Sequence, residues 1–251
     1  MTGTQLLSSE YNPILASLIF WSTLIIYQVN TKLKLNIADL STFKYFEKAK
    51  KWRIITYLAI NCIILLHIPF INLWSIIFIA HLGILSTLYN VPEKSYTKSI
   101  FPLRSIPILK VFLIAFVWAS IASILPELSK NSSGHPTTTH QIVLSFILHF
   151  LFILSITLPF DIRDYKSDYN KISTVPHVIG INNTKILAVS CLLAFTAIFM
   201  FMTGNMFILI VTLVTGILII NSSTDKKDYY FTFFLDGTII LYFIIVKLFL
   251  D

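Results

Sequence analysis

Eight apolar runs, most of them 15 to 20 residues long, divide the 251-residue chain and constrain its fold more than any other feature. A helix needs about 20 apolar residues to cross a bilayer, and backbone groups in lipid must be hydrogen-bonded within the spanning segment. The sequence therefore predicts an all-α, polytopic membrane helix bundle with eight transmembrane helices, formed by residues 1–251 as a single domain. The runs are Pro13–Val29, Ile54–Ile71, Asn72–Tyr89, Ile106–Leu125, Ile142–Phe160, Ile186–Thr203, Met206–Ile220 and Tyr229–Leu250.

Charge is scarce in this chain and lies almost entirely in four of the connections. Only 12% of the residues are charged, against about 25% in soluble domains. Of the 19 Lys and Arg residues, 17 lie in residues 30–53, 90–110, 161–185 and 221–228. Because basic loops stay in the cytoplasm, we expect these four inside, both termini outside, and a multi-pass protein of the cytoplasmic (inner) membrane. These loops account for the net charge of +7, so no nucleic-acid partner is predicted.

An acidic stretch, residues 159–168, follows the fifth run directly. If the helix continues through it, Asp161, Asp164 and Asp168 lie within about 60° of one another on one face, and Arg163 and Lys166 point elsewhere. Three carboxylates repel one another unless a cation lies among them, and Mg²⁺ binds carboxylate and phosphate oxygens together. The alternative is a solvated juxtamembrane loop of mixed charge.

The acidic stretch continues into a T-x-P-x-x-x-G pattern, Thr174 to Gly180. The whole pattern resembles the second aspartate-rich motif of the UbiA-type intramembrane prenyltransferases. Residues 88–92 with 103–107 are similar to that family's loop between its third and fourth helices. Residues 228–237 resemble the start of the last helix in a poorly characterised bacterial branch.

This resemblance implies a nine-helix bundle in which aspartate-rich motifs hold Mg²⁺ on an isoprenyl diphosphate, and a lipophilic acceptor, often aromatic, takes the prenyl group. It implies that Asp161, Asp164 and Asp168 hold Mg²⁺. It also implies that Arg104 and Lys110 bind the diphosphate.

The chain departs from the family pattern near the end of the first apolar run. Asn30 matches the leading Asn of the first motif, but the acids that should follow are absent and Lys32 and Lys34 occupy the region. These lysines would form a diphosphate clamp, since Lys binds phosphate as a point charge. The second motif also follows the fifth run and not the sixth, so we expect a nine-helix fold that lacks the first helix.

Three functions fit these patterns. The first is a UbiA-like membrane prenyltransferase in the lipid bilayer. The second is a catalytically inactive relative that binds an isoprenoid or quinone or supports a partner, which the missing first motif favours. The third is a small transporter, for which the sequence has neither the internal repeat nor the pair of broken helices common in that class.

Asp236 is a carboxylate inside the last apolar run. A charge within a membrane helix is costly, so its side chain should face the bundle interior and find a cationic partner. Lys110 is the leading candidate because it lies a few residues into its own run from the same side. The neighbouring Gly237 is expected to allow close approach of another helix.

Overall fold

The computed structural model describes residues 12–38, 56, 58–90, 108–129, 138–168 and 174–250, and it describes the side chains of these residues except 27–38, 88–90, 167–168 and 249–250. Within these ranges the chain forms nine helices and no strand. They are α1 (Pro13–Ala38), α2 (Leu58–Phe70), α3 (Leu73–Asn90), α4 (Leu109–Ser129), α5 (Thr139–Asp168), α6 (Val175–Ile179), α7 (Ile181–Thr203), α8 (Ile208–Ile220) and α9 (Asp236–Leu250).

Each of the eight predicted apolar runs contains one of these helices, which confirms the all-α membrane fold class. Among the described residues, four helices are long and apolar enough to cross a membrane: Leu109–Ser129, Thr139–Lys166, Ile181–Thr203 and Tyr230–Leu248. Helices α1, α2, α3 and α8 are apolar but shorter over the residues whose side chains are described.

The chain forms two compact units. One contains α1, α2 and α3, in which α1 packs on α3 and His67 Nε2 lies 3.0 Å from Ser17 Oγ. The other contains α5 to α9 and α4 through Glu127. The single domain expected from the sequence stays a prediction.

The core of the second unit lies where α5 packs on α7, α7 on α8, and α8 on α9. An aromatic cluster, His149, Phe152, Phe195, Phe199 and Tyr242, fills it. The Tyr242 ring centroid lies 5.1 Å from that of Phe152, 5.5 Å from Phe195, 6.1 Å from Phe199 and 6.2 Å from His149. Edge-on and tilted ring contacts at these distances are the geometry that aromatic side chains prefer.

Helix α5 continues for 30 residues, through the whole acidic stretch. The alternative of a solvated loop is therefore wrong, and Asp161 is only 1% exposed. The helix continues because nothing after Pro159 breaks it. Its last turns are covered by the short helix α6, which buries Val175 and Pro176.

The T-x-P-x-x-x-G pattern docks α6 on the end of α5. His177 Nδ1 lies 2.7 Å from Thr174 Oγ1, and its Nε2 lies 3.0 Å from the Tyr165 carbonyl oxygen. The His177 ring stacks on the Tyr165 ring at 4.4 Å. Gly180 has a φ of 83°, which a residue with a side chain rarely adopts. It lets the chain turn directly from α6 into α7.

A π-helical segment, Tyr230–Leu235, precedes α9. Short π-helical segments are rare in proteins, and those that occur often lie at functional sites. The Tyr230 hydroxyl donates a hydrogen bond of 2.7 Å to the Leu218 carbonyl and fixes the segment against α8. The prediction for Gly237 is wrong, since a Cβ added there would meet no described atom within 4 Å.

Candidate functional site

The start of α4 and the end of α5 bring one cation to two carboxylates. Lys110 Nζ lies 3.0 Å from Asp161 Oδ1 and 3.5 Å from Asp164 Oδ2. The two acids share a face of α5, as their spacing of three predicted. The backbone amide of Val175, the first residue of α6, also lies close to the Asp161 carboxylate. The cation expected among the acids is thus, in the described residues, a lysine ammonium.

Backbone strain lies next to this lysine. Ile108 has a φ of 73° directly before α4, where a β-branched residue is an outlier. Such conformations cost of order 1–3 kcal/mol and cluster at functional sites. The strained residue sets where α4 begins, and so where Lys110 enters the bundle.

Arg163 does not point away from the acids, and that prediction is wrong. Its Nε donates a hydrogen bond of 2.7 Å to Asp164 Oδ1, and a terminal nitrogen donates one of 3.3 Å to Oδ2. The guanidinium carbon also lies 5.1 Å from the Phe160 ring centroid and 5.7 Å from that of Phe231. The long side chain bends back because a two-pronged bond to a carboxylate and two aromatic faces stabilise it there.

Lys166 points elsewhere, as predicted. Its ammonium donates a hydrogen bond of 2.8 Å to Asp225 in the connection between α8 and α9. That hydrogen bond lowers the pKa of the Asp225 carboxyl. This pair is exposed, so it ties the loop to α5 without forming part of a buried site.

Asp236, at the start of α9, is half-buried, as expected for a carboxylate in an apolar run. The prediction named Lys110 as its partner, but Lys110 lies on Asp161 and Asp164 instead. Among the described residues, the cation whose charge acts on Asp236 is Arg163. We call Lys110, Asp161, Arg163, Asp164 and Asp236 the charged layer. Arg163 is nearer to Asp236 than the prediction assumed, because its guanidinium lies against Phe231 in the π-helical segment that leads into α9.

The other predicted ligands lie outside the described side chains. Asn30, Lys32 and Lys34 are in α1 and Asp168 is in the last turn of α5, but only their backbone is described, and Arg104 falls outside the described residues. Their roles stay predictions. Among the described side chains, no group of three or more His, Cys, Asp or Glu residues is placed to hold a metal ion.

The described carboxylates nevertheless fit a single cation. Asp161 Oδ2 is buried and has no hydrogen-bond partner among the described residues. With Asp164 it offers carboxylate oxygens, the donors that Mg²⁺ prefers, on one helix face. The Lys110 ammonium takes the position next to both. Because Arg163 already neutralises Asp164, the pair suits one further positive charge, either the Lys110 ammonium or a metal ion.

Two features of this site escaped the sequence analysis. The Arg163–Asp164 bond joins neighbours in sequence, and helical direction alone separates them by about 100°. The stack of His177 on Tyr165 joins residues 12 apart. The only available signal was the three-residue spacing of Thr174 and His177, which is typical of a helix cap.

Comparisons with known proteins bear on the fold. No family model matches the sequence, and no curated protein matches it. A solved structure described as the apo structure of a UbiA homolog from Aeropyrum pernix K1 is similar to 98% of this chain and 94% of that chain, with a TM-score of 0.60 and 14% sequence identity. At that identity the likeness shows the fold alone. The chain has a UbiA-type fold, as the resemblance implied.

Proposed function

We propose that this UbiA-type fold works as a membrane prenyltransferase, which moves a prenyl group from an isoprenyl diphosphate to a lipophilic acceptor. The observation that carries the proposal is the placement of Asp161 and Asp164 beside Lys110 where α5 leaves its apolar run. Carboxylates and cations at one membrane end are what a diphosphate site requires. By the distribution of basic residues, that end is the cytoplasmic one.

In this proposal Lys110 and Arg163 bind diphosphate oxygens, and Arg104, Lys32 and Lys34 extend the cationic surface. Arg163 suits the task because its planar guanidinium matches phosphate oxygens two at a time. Bound Mg²⁺, held by Asp161, Asp164 and Asp168, would neutralise charge on the leaving diphosphate.

The reaction breaks the bond between the first prenyl carbon and the bridging oxygen, and the electron pair leaves with the diphosphate. A nucleophilic carbon of the acceptor forms the new bond to the prenyl cation and releases a proton to water. Aromatic faces stabilise a nearby cation. Phe160 and Phe231, whose rings lie against the Arg163 guanidinium, are the aromatic side chains proposed for this role.

Isothermal titration of the detergent-solubilised protein with farnesyl and geranylgeranyl diphosphate tests the proposal. We expect Asp164→Asn to weaken binding tenfold or more, and a chelator to do the same. Lys166→Met is the matched control, because it removes a cation from the same helix end but from the exposed pair with Asp225. Loss of affinity in the control equal to that in Asp164→Asn would argue against a specific site, and absence of binding would overturn the proposal.

The second candidate is a non-catalytic protein that binds an isoprenoid or quinone. Two observations favour it: the acids of the first motif are absent after Asn30, and the described acids Asp161 and Asp164 already have cationic partners. Release of diphosphate from a prenyl diphosphate in the presence of a quinol or phenolic acceptor decides between the two. Binding without release supports the non-catalytic protein.

A further inference from the structure

We infer that Lys110 excludes divalent metal ions from the Asp161–Asp164 pair while no substrate is bound, because its ammonium holds the position that a metal ion would take. The inference rests on the proposed function, since it concerns which cation neutralises the same carboxylates before a diphosphate binds. It concerns two groups of one compact unit, α4 and α5.

The first step is the burial of Asp161. Its side chain is 1% exposed, and its Oδ2 has no hydrogen-bond partner among the described residues. A buried carboxylate without a compensating charge is strongly unfavourable. Lys110 Nζ, 3.0 Å from Oδ1, supplies that charge. The cation beside Asp161 in the described residues therefore belongs to the chain itself.

The second step is geometric competition. The Lys110 ammonium lies within 3.5 Å of an oxygen of both acids. A Mg²⁺ ion bound by two carboxylates would need oxygens about 2.0–2.1 Å away and room for several waters. It cannot share that space with an ammonium, and two cations so close together would repel each other. Metal affinity is therefore reduced by the free energy needed to remove Lys110.

The third step is that Lys110 is able to leave. Its side chain is 25% exposed, and a lysine ammonium is a strongly hydrated charge on a flexible stem. Asp164 keeps its two hydrogen bonds from Arg163 when the ammonium moves. Asp161 then loses its close cation, while Asp164 still has Arg163. A diphosphate that brings metal ions would supply both the replacement for Asp161 and an anion for Lys110.

Manganese binding, followed by electron paramagnetic resonance without any diphosphate, tests the inference directly. We expect Lys110→Met to bind Mn²⁺ at least tenfold more tightly than the unaltered protein. Lys110→Arg is the matched control, since it keeps the positive charge and should bind Mn²⁺ as weakly as the unaltered protein. The double variant Lys110→Met with Asp161→Asn should lose the gain.

Thermal unfolding in detergent establishes that each variant is folded, and Lys110→Gln replaces Lys110→Met if the latter does not fold. Equal Mn²⁺ binding by the unaltered protein and the neutral Lys110 variant would overturn the inference. So would a gain that survives Asp161→Asn, because the metal would then lie elsewhere. Since no diphosphate is used, failure of the proposed function leaves this result intact, and the reverse also holds.

Discussion

The charged layer and the aromatic cluster share helices α5 and α9, but the first also uses α4 and the second α7, and they are stabilised in opposite ways. In the charged layer, Asp161 and Asp164 each lie within 3.5 Å of a cation. In the aromatic cluster, about nine residues or 14 Å further back along α5, the Tyr242 hydroxyl is buried and has no hydrogen-bond partner among the described residues. Its ring packs against four described aromatic rings.

The difference shows which polar groups an apolar bundle tolerates unpaired. A hydroxyl without a partner costs a few kcal/mol at most, and the ring that carries it recovers this through packing. An unpaired carboxylate costs far more, so it persists only beside a cation. The carboxylates of the charged layer therefore each require a cation, while the aromatic cluster requires only that its rings pack well.

The largest expected effect is all-or-none and concerns which side of the membrane the charged layer faces. On a background without Cys62 and Cys191, we expect Asp225→Cys, beside the layer, to react with an impermeant maleimide only from the cytoplasmic side. Asn205→Cys, in the turn between α7 and α8, should react only from outside. Labelling of both from one side would contradict the topology and place the layer on the wrong face.

The next largest effect is a loss of stability when the ion pair between Lys110 and Asp161 is broken. Lys110→Met leaves the buried Asp161 without its close cation, and we expect it to lower the free energy of unfolding by about 2 kcal/mol. Adding Asp161→Asn should recover most of this loss, because a lone buried charge is worse than none. Unfolding in SDS of both single variants and the double gives the coupling between the two sites.

The exposed pair Lys166 and Asp225 is the control for this cycle, and its members should show no measurable coupling, as is usual for surface ion pairs. Strict additivity for Lys110 and Asp161 would mean that their 3.0 Å contact contributes nothing. That result would remove the distinction between the charged layer and the cluster.

The sequence predicted the helices well because hydrophobic length is a local property. Every apolar run contains a helix among its described residues, and α5 carries its helix through the acids as their spacing suggested. It also predicted that Asp161 and Asp164 share one face of α5, since residues three apart lie on the same side of a helix. These signals need no knowledge of neighbouring helices.

Which charges pair within the charged layer could not be predicted, because the pairing depends on the conformations of long side chains. Lys110 was expected on Asp236 but lies on Asp161, and Arg163 bends back to Asp164 although its backbone direction points away. Long side chains span several ångströms in any direction. The strained backbone of Ile108, directly before the start of α4, could not be predicted from the sequence either.

The smallest expected effect has the opposite sign and probes the aromatic cluster. Tyr242 is 7% exposed and its hydroxyl has no hydrogen-bond partner among the described residues, so Tyr242→Phe removes a buried, unsatisfied group and keeps the ring. We expect the free energy of unfolding to rise by about 0.5–1 kcal/mol. Tyr242→Leu is the matched variant, since it also loses the ring contacts with Phe152 and Phe195 and should be destabilised. SDS unfolding measures both. If Tyr242→Phe is less stable than the unaltered protein, the hydroxyl has a partner after all, and the cluster is held by hydrogen bonding in the same way that pairing holds the charged layer.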